Sequence, residues 1–143
     1  MTRATSVLVV DDNPGFNHAA RTVLGNDGFL VHTAETGHEA LAFLERRPPF
    51  KDAPRPAFVV LDFHLPDMDA PAVLRRLHDD AGLQAIPVLV VSQADWAEDE
   101  AAARAAGARD FRVKPSRAHA LRDTFLEFWR THAHATDRPA DRG

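Results

Sequence analysis

The chain has 143 residues, a net charge of −4 and no cysteine, and hydrophobic residues make up 45% of it. This length suits one domain that buries about two thirds of its unfolded surface. The absence of cysteine excludes disulfides and thiolate metal sites, and no run of lysines and arginines is long enough to suggest a nucleic-acid partner. No apolar run approaches the ~20 residues of a membrane helix, and charges follow too early for a secretory signal. We therefore expect a cytoplasmic protein without a membrane or nucleic-acid partner.

Five apolar runs predict five β-strands. An apolar run without polar interruption indicates a strand buried on both faces, as in parallel sheets that are covered by helices. The first, third and fourth runs are the most apolar, whereas the second and fifth contain polar residues that suit the edges of a sheet. The runs span residues 6–10, 29–34, 57–61, 86–91 and 110–113.

A helical pattern follows each run. Asn13-Pro14 and Asp69-Ala70-Pro71 offer helix starts with proline in the first turn, and Thr36 and Glu39 have the spacing of a capping box. Asp95 is the expected cap of an alanine-rich fourth helix. The helices are expected over about residues 14–25, 36–44, 69–82, 96–107 and 116–132.

This alternation of strands and helices predicts an α/β fold. We expect the flavodoxin-like, doubly wound (βα)5 three-layer sandwich with a parallel sheet in the order 2-1-3-4-5, because that order places the three most apolar strands in the middle. Residues 46–56 hold four prolines and read as a stiff surface loop. The domain is expected over residues 1–134, with an extended last helix and a disordered tail over residues 135–143.

Polar residues follow the strands at the edge where open α/β sheets place their chemistry. Asp11, Asp12 and Asp62 are expected to meet there, and ionised acids in contact need either raised pKa values or a bound cation. Since we expect these strand ends to face solvent, the pattern favours the cation, and oxygen ligands favour Mg²⁺. Ser92 and Lys114 add a hydroxyl and an ammonium suited to an anion. The set predicts a phosphate site in which Asp62 acts as a nucleophile.

These residues resemble the receiver domain of two-component response regulators. The resemblance covers about residues 6–129 and rests on Asp11-Asp12, Asp62, Ser92, Lys114-Pro115 and the segment Leu65-Pro66-Asp67-Met68-Asp69. It implies that Asp62 is the phosphoacceptor, and that Asp12, Asp62 and the backbone carbonyl of His64 bind Mg²⁺ directly. Asp11 would act on the metal through water.

The same resemblance assigns a switch. Ser92 would be the hydroxyl that moves onto the phosphoryl group, Lys114 its counter-charge, and Phe111 the aromatic whose rotamer reports the change. Gln93 stands where receivers usually have a small residue, so its bulk is expected to slow phosphoryl exchange, and the side chain of His64 is placed to lean over the site. A slow, Mg²⁺-dependent self-dephosphorylation is implied rather than enzymatic turnover.

A narrower resemblance concerns the standalone regulators that pair with bacterial phytochromes. It rests on the proline-rich residues 53–56, the connection over residues 79–87 and the aromatic end of the last helix. It implies a bacteriophytochrome as the sensor histidine kinase partner and a homodimer through the last strand and the last two helices. The interface residues would be those on one stripe of the last helix, namely Leu121, Phe125, Phe128 and Trp129. Leu126 is expected to lie outside this stripe.

Two alternatives remain open. One is a degenerate receiver that acts only as a dimerisation or interaction module, although the complete set of acids and lysine argues against it. The other is a Mg²⁺-dependent phosphatase that works through an aspartyl phosphate, as haloacid-dehalogenase enzymes do. Such enzymes need a second aspartate two residues after the nucleophile, where this chain has His64, and a cap domain for which no residues remain.

Overall fold

The computed structural model describes residues 4–93 and 96–133. Its strands are β1 (Ser6–Val10), β2 (Leu30–Ala34), β3 (Phe58–Asp62), β4 (Val88–Ser92) and β5 (Asp110–Val113). Its helices are α1 (Pro14–Asn26), α2 (Gly37–Leu44), α3 (Ala70–His78), α4 (Ala97–Ala105) and α5 (Ala118–Phe128), and a π-helical turn (Trp129–Ala133) follows α5. All strand pairs are parallel and the order is β2-β1-β3-β4-β5. The predicted fold class is confirmed.

The core lies on both faces of the sheet. Successive side chains of a strand point to opposite faces, so Val7 and Val9 of β1 pack with α1 and α5, whereas Leu8 and Val10 pack with α2, α3 and α4. The central strands β3 and β4 are buried along their whole length, and the edge strands β2 and β5 are partly exposed. None of the helices within the described residues is long and apolar enough to cross a membrane.

The starts of α1, α2 and α3 follow the predicted caps. Asn13 Oδ1 accepts hydrogen bonds from the first turn of α1, and Asp69 Oδ1 accepts one from the Ala72 amide at 3.0 Å. Thr36 Oγ1 accepts from the Glu39 amide at 3.0 Å, which confirms one half of the capping box. The Glu39 carboxylate accepts a hydrogen bond from the Glu35 amide rather than from the Thr36 amide. Asp95 lies outside the described residues, as does the expected tail over residues 135–143.

The third helix is shorter than predicted. It ends at His78, not near Gly82. The Asp80 carboxylate accepts a hydrogen bond from the Gly82 amide at 2.8 Å, and the Asp80 carbonyl accepts one from the Leu83 amide at 2.9 Å. A side chain that bonds to the nearby backbone competes with helical hydrogen bonds, which explains why the chain turns here.

The aromatic stripe of α5 lies in the core. Leu121, Phe125 and Phe128 are at most 3% exposed, and Leu126, which was expected off the stripe, is also buried. The ring of Phe125 meets that of Phe16 on α1, with 6.3 Å between centroids. The expected role of these side chains as dimer surface is therefore corrected, because α1 and the sheet already cover them.

The two aromatic residues at the end of this stripe pack in the same way. The Phe128 ring lies 5.6 Å from that of Phe58 on β3, and the Trp129 ring lies 5.4 Å from that of Phe29. Trp129 is only partly buried. Homodimerisation through this side of the molecule stays a prediction, but it needs other contact residues.

We expect Phe125→Ala to lower the free energy of unfolding by about 3–5 kcal/mol, because it leaves a cavity between α5, α1 and the sheet. Urea unfolding followed by circular dichroism measures this loss. Leu30→Ala, on a side chain that is 50% exposed, is the matched control and should change stability little. A Phe125→Ala protein that is as stable as wild type and differs only in oligomeric state would restore the interface assignment.

Candidate functional site

The sheet brings the polar strand ends together. β1 and β3 are neighbours, with Val10 opposite Leu61, so Asp11 and Asp12 follow β1 beside the end of β3 at Asp62. Ser92 ends β4, and Lys114 follows β5. These side chains share a cavity of about 390 Å³, which is lined by Asp11, Asp12, Asn13, Asp62, His64, Ser92, Gln93, Trp96 and Lys114. The residues predicted to bind metal and phosphate meet in this one cavity, whereas Phe111 packs in the core.

The three carboxylates form a compact cluster. One oxygen from each of Asp11, Asp12 and Asp62 lies within 4.8 Å of the others. Asp12 is exposed, but Asp11 is fully buried and Asp62 is only 7% exposed. The expectation that all three acids face solvent is therefore wrong for two of them. Asp11 is also held in place, since its Oδ1 accepts a hydrogen bond from the Asn13 amide at 2.9 Å.

Lys114 brings a positive charge into this cluster. Its Nζ lies 2.7 Å from Asp11 Oδ2 and 3.7 Å from Asp62 Oδ1. The same ammonium sits 4.8 Å from the centre of the Phe16 ring, where a cation–π contact adds to its placement. One ammonium among three carboxylates leaves an excess of negative charge. That excess, together with a donor set made only of oxygen, fits a divalent cation such as Mg²⁺ or Mn²⁺.

Burial and repulsion also act on Asp62. The pKa of Asp62 is raised from 3.8 to about 6, chiefly because the carboxyl is buried and then because Asp11 lies next to it. Lys114 opposes this shift, while Asp12 adds to it. The site thus combines both responses to crowded acids, a raised pKa and room for a cation. A cation bound there favours the ionised carboxylate, which is the nucleophilic form.

Ser92 supplies an unsatisfied donor. Ser92 is 1% exposed, and its Oγ has no hydrogen-bond partner among the described residues. Buried hydroxyls are normally hydrogen-bonded, so this one is suited to a group that enters the cavity. An anion beside Asp62 would meet the Ser92 hydroxyl and the Lys114 ammonium. The roles of Ser92, of Phe111 and of the His64 carbonyl stay predictions.

Two side chains that flank the site have partners that sequence reasoning missed. His64 Nε2 lies 3.2 Å from Oδ2 of Asp99, in the first turn of α4. Asp67 accepts hydrogen bonds from the amides of Gly37 and His38 at 2.8 and 2.9 Å, and its Oδ2 lies 2.5 Å from His38 Nδ1. Both contacts span about 30 residues or more of chain, so no local spacing signals them.

We expect Asp62→Asn to stabilise the metal-free protein at neutral pH. Because the folded pKa of Asp62 is raised, its ionised form costs stability above about pH 6, and this cost disappears as the pH falls towards the unfolded value of 3.8. A gain of about 1–3 kcal/mol at neutral pH should therefore shrink through pH 6 and vanish near pH 4. Chemical unfolding across this range measures it, with Asp52→Asn in the exposed loop as control. A variant no more stable than wild type at neutral pH would contradict it.

Comparison with known proteins supports one family. A model of the response regulator receiver domain matches residues 7–125. The probable transcriptional regulatory protein TcrX of Mycobacterium tuberculosis is 36% identical over 110 residues, which are 77% of this chain and 43% of TcrX. Protein PilH of Pseudomonas aeruginosa is 30% identical over 109 residues, which are 76% of this chain and 84% of PilH. The chain thus spans less than half of TcrX and most of PilH.

Solved structures share the fold. The Mn²⁺-bound form of response regulator Rcp1 has a TM-score of 0.80 at 22% identity, over 95% of this chain and 99% of Rcp1. The phosphorylated cyanobacterial phytochrome response regulator RcpA has a TM-score of 0.82 at 24% identity, over 95% and 98%. Response regulator RPA3017, in red light signaling of R. palustris, has a TM-score of 0.77 at 25% identity, over 87% and 91%. With the family match over residues 7–125 and the acid cluster at its strand ends, the chain belongs to the response regulator receiver domain family.

Proposed function

We propose that the protein accepts a phosphoryl group on Asp62 from a phosphohistidine of a sensor histidine kinase. The position of Asp62 supports this most directly. It ends the central strand β3, is 7% exposed, and has Lys114 Nζ 3.7 Å from its Oδ1. A carboxylate in this setting lies next to the positive charge that an incoming phosphoryl group needs.

The transfer follows from the groups in the cavity. A carboxylate oxygen of Asp62 forms a bond to phosphorus, and the phosphorus–nitrogen bond of the phosphohistidine breaks with its electron pair left on the imidazole. Asp12, Asp62 and the backbone carbonyl of His64 would hold a divalent cation, which we propose to be Mg²⁺, with Asp11 acting on it through water. The cation would neutralise charge on the phosphoryl oxygens. Lys114 adds a second positive charge, and the buried Ser92 hydroxyl donates to a phosphoryl oxygen.

The proposal extends to a switch in the neighbouring strands. Ser92 lies opposite Val113 on β5, and Phe111 lies two residues earlier on the same strand, 5% exposed. Movement of the Ser92 hydroxyl towards the phosphoryl group would leave space for the Phe111 ring to change rotamer. The product then loses its phosphoryl group slowly to water, in a step that also depends on the cation.

The kinase partner we propose is a bacteriophytochrome. RcpA is described as a phytochrome response regulator and RPA3017 as a regulator in red light signaling. Their likeness to this chain, together with its proline-rich loop before β3, supports the same kind of partner here. Transfer from such a kinase should then differ between red and far-red illumination.

A homodimer through β5, α4 and α5 is also proposed. Ion pairs join these elements, with Arg104 Nη2 3.0 Å from Asp110 Oδ1 and Arg112 Nη2 3.3 Å from Glu127 Oε1. Val113 is an apolar side chain on this edge that is 46% exposed. It is a better candidate for the contact than the buried residues of α5.

Labelling with a ³²P-phosphorylated kinase tests the main proposal. We expect label on wild type, no label on Asp62→Asn, full label on the loop control Asp52→Asn, and slower labelling of Asp12→Asn or after chelation of Mg²⁺. Label retained by Asp62→Asn would overturn the assignment of the acceptor. Rapid turnover of an external phosphate ester would favour a phosphatase, and no label from any donor would favour a degenerate receiver.

The same assay addresses the partner and the neighbour of Ser92. Equal transfer from a bacteriophytochrome kinase in red and far-red light would contradict the light-dependent partner. Gln93 is exposed and lines the cavity, so Gln93→Ala should speed labelling if the bulk of this side chain limits access. An unchanged rate would remove that role from Gln93.

Sedimentation tests the dimer. We expect Val113→Glu to yield monomers that are as stable as wild type, because a charge would then be buried in the proposed contact. Leu30→Glu, on a similarly exposed side chain of the opposite edge strand, should stay dimeric. A monomeric wild type, or a Val113→Glu protein that is still dimeric, would defeat this part of the proposal.

A further inference from the structure

A contact at the rim of the cavity joins two elements around the acceptor. His64 follows Asp62 by two residues and lines the same cavity. Its Nε2 lies 3.2 Å from Oδ2 of Asp99, in the first turn of α4. The contact therefore bridges the loop after β3 and the start of α4, on the side of the cavity that Trp96 also lines.

Asp99 is the better fixed member of this pair. Its side chain is 20% exposed, whereas that of His64 is 68% exposed. Asp99 sits on a helix, near the positive end of the helix dipole, where a carboxylate is favoured. The imidazole also meets the Phe63 ring, with 4.7 Å between centroids. Two contacts thus hold a largely exposed side chain.

We propose that Asp99 is a positioning residue that controls how long the phosphoryl group stays on Asp62. It holds the His64 imidazole at the rim of the cavity and so limits the approach of water to the phosphorus. This inference rests on the proposed function. In the hydrolysis concerned, the water oxygen bonds to phosphorus, the bond from phosphorus to the Asp62 oxygen breaks with its electron pair on the carboxylate, and the proton goes to solvent.

Loss of the contact should have a measurable and bounded effect. Without Asp99, the imidazole of His64 loses its partner on α4 and turns more freely into solvent. An exposed pair of charged or polar groups shifts the equilibrium between a held and a free side chain by about two- to fivefold. We therefore expect the phosphoryl group to be lost about two- to fivefold faster.

The experiment follows the decay of label from phosphorylated protein after the kinase has been removed, in the presence of Mg²⁺. Asp99→Ala should decay about two- to fivefold faster than wild type. Glu98→Ala removes a carboxylate from the same helical turn and should decay like wild type, and Asp99→Glu should recover a slow decay. In a His64→Ala background, which keeps the backbone carbonyl, Asp99→Ala should have no further effect. Unfolding curves confirm that each variant is folded.

The possible results distinguish the role of Asp99 from the proposed phosphoacceptor function of Asp62. Equal decay of wild type and Asp99→Ala would overturn the role of Asp99, while labelling of Asp62 would still stand. If Asp99→Ala speeds the loss of label equally in the wild-type and His64→Ala backgrounds, the role of Asp99 is also overturned. The effect would then not act through the imidazole. Absence of label on every variant would overturn the proposed function, and the role of Asp99 with it.

Discussion

Two buried carboxylates at the ends of adjacent strands are the constraint on which the site depends. Asp11 is fully buried and Asp62 is 7% exposed, and the pairing of β1 with β3 sets them side by side. Burial raises the free energy of each negative charge, and proximity adds repulsion. Lys114 offsets part of this cost through its 2.7 Å contact with Asp11. The rest is left for a cation or for a proton on Asp62, whose pKa is raised to about 6.

The free-energy cost of burying these two carboxylates side by side also suits them to binding a cation or reacting with an incoming group. A chain selected only for stability would not keep neighbouring acids in a buried position, and departures of this kind cluster at functional sites. The Ser92 hydroxyl, which has no hydrogen-bond partner within residues 4–93 and 96–133, is a second departure in the same cavity. Under the proposed function, both would be relieved by the same event, the arrival of a phosphoryl group with its cation.

The loop that follows Asp62 is tied at two points to the helices of one layer. Asp67 accepts hydrogen bonds at the start of α2, and His64 contacts Asp99 at the start of α4. A Cβ at Gly37 would come within 2.3 Å of Met68 Cγ, so a larger residue at this position would force the Met68 side chain to move. A change of charge at Asp62 therefore has short, contiguous routes to both helices.

The amino-acid sequence by itself determined the sheet order, the caps of α1 and α3 and the five polar residues at the ends of four strands. These features follow from local patterns, namely apolar runs, cap residues and the rule that parallel strands end at one edge. Only the tertiary structure decided which faces are covered. Helical periodicity shows that Phe125 and Phe128 share a face, but whether α1 or a second subunit covers that face depends on packing. Likewise, the burial of Asp11 and the partner of Asp99 arise from elements that lie far apart in the chain, whose distances no sequence pattern encodes.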